Sequence, residues 1–371
     1  MISSVRDIAR IITVVLCLTA GLMVHGCSDE GPDSTDTFDR SRMLTQFADQ
    51  VIVPSYDDVC AKATDLVATI DTFRREPTEQ HLEDCRTAWL QTAISWQHVV
   101  SFDFGPAEGP LGNLSVNVGT FPASPDKIEA AIDIGDTTLQ NFDRDGRGLF
   151  AIDYLLFNGT ASAVVNAFTS ESFRFAYLSS VARRLVSELT TVRNTWTTSY
   201  RDDFVSRSGT DAGSGTSLLF NHMNIGYELA KNYKLGLPLG RIAGQTAAEP
   251  TKVEAFYSTA SIKLLREHYN AVVNIWYGRT SNGTDILGFR DYLLTVPNGQ
   301  RLIDDTEAQL LIVQGAWDAL SDDEVMSDLI LSDPTRLETL HTEMQKLTRF
   351  FKSELSSLIG ISITYSSGDG D

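Results

Sequence analysis

From residue 38 onward the apolar positions recur at the helical spacing of about 3.6 residues, and only 359–365 shows anything like the two-residue alternation of a half-buried strand. That periodicity predicts an all-α chain, with helices over 38–53, 56–73, 78–102, 125–139, 148–157, 171–204, 217–233, 251–277, 286–294, 306–320 and 333–358. Turn-forming residues fill the gaps between them. The most linker-like interior stretch is 206–216, Ser-Arg-Ser-Gly-Thr-Asp-Ala-Gly-Ser-Gly-Thr, which predicts a boundary between an N-terminal helical domain, 38–210, and a C-terminal helical-bundle domain, 211–371.

Within this pattern, 141–157 stands out. A polar loop, Asn-Phe-Asp-Arg-Asp-Gly-Arg, turns there into an apolar helix, Gly-Leu-Phe-Ala-Ile-Asp-Tyr-Leu-Leu-Phe, that carries one acid. Phe150, Asp153 and Phe157 share a helical face, so Asp153 is surrounded by apolar side chains. A carboxylate in that setting needs a cation, a donor or a proton. Two readings stay open: a structural acid held by a backbone donor or by Arg147, and a ligand site lined by Arg147, Gly148, Phe150, Asp153 and Asp103. The loop also matches the opening of an EF-hand calcium site, but its twelfth position is Ile152 and Asp153 comes one step late. A polar turn that caps the next helix is the alternative there.

The first residues change the picture of where the chain works. Arg6 and Arg10 precede an apolar run, 11–24, too short to span a bilayer comfortably, so 1–26 reads as an export signal. Val-His-Gly-Cys at 24–27 resembles a lipobox, which makes Cys27 the expected lipidated first residue and 27–37 a flexible tether. A membrane held through that lipid is then a partner, and Ser28 after the Cys favours the outer membrane, facing the periplasm. The net charge of −19 becomes −20 once the signal is removed, and such an acidic surface argues against nucleic acid as a partner. Of the four cysteines, only Cys60 and Cys85 remain for a disulfide. A helical hairpin turning near Pro77 sets them out of level by about seven residues, roughly 10 Å, so that bond is left open.

Phe-Ala-Ile-Asp-Tyr-Leu-Leu at 150–156 has a counterpart in Gly-Phe-Arg-Asp-Tyr-Leu-Leu at 288–294, and with the similar helical order on the two sides this predicts an internal duplication. The segment 148–157 resembles the Gly-x-His-x-x-Glu helix of the imelysin-like family of bacterial envelope proteins. Here Phe150 stands in place of the His and Asp153 in place of the Glu. Three further stretches resemble the family in the same order: Ala88-Trp89 through Phe-Asp-Phe-Gly-Pro at 102–106, Leu219 through Lys-Leu-Gly-Leu-Pro-Leu-Gly at 234–240, and the C-terminal Ile-Gly-Ile-Ser-Ile-Thr-Tyr with its final Asp-Gly-Asp. The resemblance implies two helical-bundle halves with a site at their junction.

It also implies iron or other metal handling, with a divalent metal or iron as cofactor, metal-uptake or envelope proteins as partners, and a peptidase designation. No His-Glu-x-x-His helix accompanies the six histidines, so no hydrolytic motif is assembled. His98, His222 and His268 fall on predicted helices where they can converge with Asp103, Asp153 or Glu228, and Asp153, His98 and His222 form the candidate metal set. An isolated histidine on a helix is more often a packing residue than a ligand. The expectation is a non-enzymatic envelope lipoprotein that binds a small ligand or cation between two helical halves. A polysaccharide-binding or structural partner protein is the alternative.

Overall fold

The long apolar repeats are helical over most of their lengths in the computed structural model, which describes residues 37–109, 112–139 and 143–365. The export signal, Cys27, most of the tether and Asn141 lie outside those residues. The described residues form no strand; Arg279 and Asp285 make an isolated antiparallel bridge. The 359–365 stretch ends a helix at Gly360 (φ +67°) and continues as irregular chain.

Helices Val53–Arg75 and Glu79–Gln97 form a hairpin, and Arg174–Thr195 packs along the first of them. Helix Gly148–Phe157 lies against Arg174–Thr195 and Glu79–Gln97. Further along the chain, Ser261–Tyr277 packs on Gly215–Glu228 and also on Glu79–Gln97, so residues on both sides of 206–216 share one core. The compact unit accordingly begins at Phe38 and does not divide at 210. The 206–216 stretch is itself folded: Ser208 O accepts from Arg40 Nε at 2.7 Å, and Ser214 caps the next helix by accepting from Ser217 N at 3.2 Å. What reads as a linker by composition works here as a cap.

Other differences from the periodic reading have local causes. The chain does not break near Pro54, because Ala48–Ile52 widens into a π turn that accommodates a residue without an N–H. The segment expected to start a helix at 251 stays irregular, and the helix begins only at Ser261. Ala161–Ser170 forms a separate helix, and the next begins only at Arg174. Cys60 and Cys85 are both free thiols. Cys60 lies beside Thr190, with 4.0 Å from hydroxyl to sulfur, while burial pushes the Cys85 thiol up to about 12.

Helix Gly148–Phe157 is positioned by its first residue. Gly148 has φ +77°, and a Cβ there would sit 2.3 Å from the carbonyl oxygen of Val118, so only glycine allows the helix to start this close to its neighbour. Trp89 Nε1 then donates to Leu149 O at 2.8 Å, fixing the helix from its other side. Gly148→Ala is expected to destabilise the protein by about 3 kcal/mol, through backbone strain and collision together. Gly315, at an exposed position of helix Gly299–Asp318 with open space around it, is the contrast: Gly315→Ala should stabilise by about 0.5–1 kcal/mol. Urea denaturation of the two variants measures both.

Candidate functional site

Asp153 is 1 % exposed, and its two carboxylate oxygens accept from the backbone N–H groups of Tyr257 and Ser258, each at 3.0 Å. These amides belong to the irregular segment before Ser261, in which Ala255 (φ +56°) and Thr259 (φ +62°) are left-handed without being glycine. Such conformations persist only where the surroundings impose them, and the carboxylate grips the chain between the two. Burial raises the Asp153 pKa to about 7; the Ser258 hydroxyl and the two amides hold it down, and Glu254 adds a small upward push.

The gripped segment delivers Glu254 into the interior. Glu254 and Lys234 are each 2 % exposed and pair at 2.9 Å. Gln97, the last residue of the Glu79–Gln97 helix, accepts from Lys234 and donates to Glu254 at 3.3 Å, which closes a triangle. Three elements thus each supply one side chain: the hairpin helix, the π turn Leu229–Gly236 and the gripped segment. Burial lowers the Lys234 pKa, and Glu254 counters that.

Near this triangle is His268, fully buried, whose two ring nitrogens have no hydrogen-bond partner among the described residues. Its pKa is driven well below the ordinary value by burial first, then by Lys234 and His98. Ser101 Oγ is likewise buried and unpartnered. Gly226 separates the two, since a Cβ there would meet Ser101 Oγ at 2.1 Å and His268 Nε2 at 3.4 Å. Around Gly226 the interior therefore holds a paired charge and, among the described residues, two polar side chains without hydrogen-bond partners, where an apolar core would cost less.

The residues singled out from the sequence go to different places. Arg147 does not meet Asp153; it donates to Leu139 O at 2.9 Å and to Asn117 Oδ1 at 2.6 Å. Phe150, 1 % exposed, meets Phe121 edge to face at 5.7 Å. Asp103 accepts from the backbone N–H (3.2 Å) and the hydroxyl of Ser115, joining the Trp-containing segment to helix Leu114–Val118. His222 packs on the Phe104 ring at 5.0 Å, and burial holds its pKa down at about 4. His98 is half-buried and faces Glu267, Nε2 to Oε2 3.3 Å.

Asp153, His98 and His222 are thus each engaged elsewhere, and no group of three or more His, Cys, Asp or Glu among the described residues could hold a metal ion. In the calcium-like loop the ammonium of Lys127 lies 3.1 Å from Asp143 and 3.0 Å from Asp145, so a side chain supplies the cation there. Asp145 therefore does not cap the next helix by its side chain; Arg147 occupies that position without a side-chain cap. Lys234, Glu254 and Gln97 were not legible as site residues, because a Lys, a Glu and a Gln far apart in sequence carry no spacing signal.

An all-helical chain with its polar centre inside, at a seam built by helix, π turn and loop, defines the class of protein. The chain belongs to the imelysin family, whose model matches residues 52–351. It is 26 % identical over 254 residues to iron-regulated protein A of Synechococcus elongatus, a match that covers 66 % of each protein, a little under two thirds of that relative's length. Two solved structures share the fold. One, designated an iron-regulated protein A precursor from Parabacteroides distasonis, superposes with a TM-score of 0.72 at 19 % identity, covering 89 % of this chain and 97 % of that one. The other, an imelysin-like protein from Psychrobacter arcticum, gives 0.68 at 17 % identity, covering 88 % and 97 %.

The titration of Asp153 has a definite sign. Its carboxyl holds a proton more tightly when folded (about 7) than at the ordinary value of 3.8, so its stabilising contribution is complete below pH 3.8 and is lost as pH rises to about 7. The stability of wild type relative to Asp153→Asn should therefore fall across that window and level off above it. Denaturant titrations of both proteins from pH 4 to 8 check this, and hydrogen exchange at Tyr257 and Ser258 should speed up in Asp153→Ala.

Proposed function

We propose that the protein is a non-enzymatic envelope protein that holds a small polar ligand at the seam between the Gly148–Phe157 helix and the segment leading to Ser261. Its kinship with iron-regulated protein A supports an iron-linked role, in uptake or in response to iron supply. The observation that carries the reading is the Lys234–Glu254–Gln97 triangle beside the unpartnered His268. A buried ion pair adds little stability over apolar side chains of the same size, so its presence points to a use in recognition. The ligand is then one met by an ammonium, an amide and a neutral imidazole, with the Asp153 grip controlling access.

A bare transition metal is a poorer fit than an organic ligand. Lys234 already neutralises Glu254, Asp153 is taken by two amides, and Phe150 puts a ring where the resembling proteins have an imidazole. Iron would enter through a ligand that carries it. The proposal includes export and a lipid anchor on Cys27 at the outer membrane, and palmitate labelling that persists in Cys27→Ala would remove the anchor from it.

The test separates stability from function. Lys234→Met alone strands a buried carboxylate and should cost about 3–5 kcal/mol, whereas Lys234→Met with Glu254→Leu should be neutral or stabilising by about 1–4 kcal/mol. In thermal-shift titrations with ferric, ferrous and zinc salts and a panel of small organic acids and amines, wild type should respond to a member of the panel and the double variant should not. A wild type unresponsive to the whole panel, or a double variant as unstable as the single one, makes the triangle a structural feature.

A further inference from the structure

A second cleft opens between the start of the Val53–Arg75 helix and the side of Ser261–Tyr277, with a volume of about 210 Å³. Neither Asp153 nor Lys234 lines it. Its apolar wall is Val51, Phe102, Ala271 and Ile275. Around that wall stand the His98–Glu267 pair and, one and two turns further along the same helix, Asn270 and Asn274. The side-chain amides of both asparagines, and the hydroxyls of the buried Ser55 and the exposed Ser281 in the same lining, make no hydrogen bond within the described residues. Arg279 closes one end, its guanidinium 4.3 Å from the centre of the Tyr277 ring and its Nε 3.2 Å from Asp285.

The composition of this lining selects a ligand. Planar amide, imidazole, carboxylate and guanidinium groups each offer donors and acceptors fixed in direction, which suits neighbouring hydroxyls that donate and accept at once. An apolar wall beside them suits the C–H face of a ring. Glu267 and the acidic surface oppose an anion, while the Arg279 guanidinium opposes a cation, so a neutral ligand is favoured. The space suits one ring and not a chain of them. From this arrangement we propose that the cleft is a binding site for a single neutral sugar unit, either free or at the end of a glycan. Asn270 and Asn274 bond its hydroxyls, and the His98–Glu267 pair orients it.

The site is tested on the whole protein by saturation-transfer NMR and calorimetry with glucose, galactose, mannose and N-acetylglucosamine, and with short oligosaccharides ending in each. One of these sugars should bind with a dissociation constant on the order of 1 mM, as a single ring with few contacts allows. Asn270→Ala and Asn274→Ala should each weaken it by about ten-fold, with the unfolding midpoint unchanged because neither amide has an internal partner. Glu267→Gln, which keeps the shape and removes the charge, should also weaken it. Binding of the oligosaccharides and not of the free sugars keeps the proposal and identifies a glycan terminus as the source. Absence of binding to every sugar, or equal binding by wild type and the Asn270→Ala, Asn274→Ala double variant, overturns it. So does displacement of the sugar by acetate or methyl phosphate at lower concentration. None of these outcomes bears on the Lys234–Glu254 seam, whose variants leave the cleft lining intact.

Discussion

Two backbone N–H groups, from Tyr257 and Ser258, end on one buried carboxylate, and the polar centre of the protein depends on that contact. It helps to hold Ala255 and Thr259 in left-handed conformations, together with the Ser258 hydroxyl donating to Ala255 O and the Ser261 hydroxyl donating to Glu254 O. With it, Glu254 is carried into the interior to meet Lys234 and Gln97. Asp153 is therefore a positioning residue: it touches the chain that presents the charged pair, while the pair and His268 are the groups that the proposed ligand would meet. Its own burial is tolerable because both oxygens are satisfied and because the proton is held more tightly than usual.

The same position is served differently by the similar segment at 288–294. There Asp291 accepts from the backbone N–H of Gly288 at 2.9 Å, a local contact at its own helix start, whereas Asp153 reaches a segment more than a hundred residues away. Alike sequences thus perform unlike tasks, and the difference lies in what each helix is packed against. Gly148 lets one helix begin against the Val118 carbonyl, deep in the core, while Asp291 is only half-buried.

Phe150 fits this picture as packing. Its ring meets Phe121 in the interior, so this face of the helix is an apolar wall. The polar chemistry is concentrated instead in Lys234, Glu254, Gln97 and His268, on other elements. A binding role for the seam therefore rests on groups outside the Gly148–Phe157 helix, and that helix acts by holding them in place.

The all-helical fold was legible in the chain because helix periodicity is local: each apolar stripe at 3.6-residue spacing needs only its own turn geometry to declare itself. The same holds for the burial of Asp153 among apolar neighbours and for the family likeness of 148–157. What the sequence alone left open was decided by contacts between distant residues. Periodicity favoured helix over 251–260, but a carboxylate from another element captured two of its amides. Composition favoured a linker over 206–216, but Arg40 and Ser214 bound its backbone at Ser208 O and Gly209 O. Arg147 was the near cation in sequence, yet Asn117 and Leu139 took it. Partner choice for a buried polar group is set by which elements pack together, and only the tertiary structure could place Lys234 and Gln97 on Glu254.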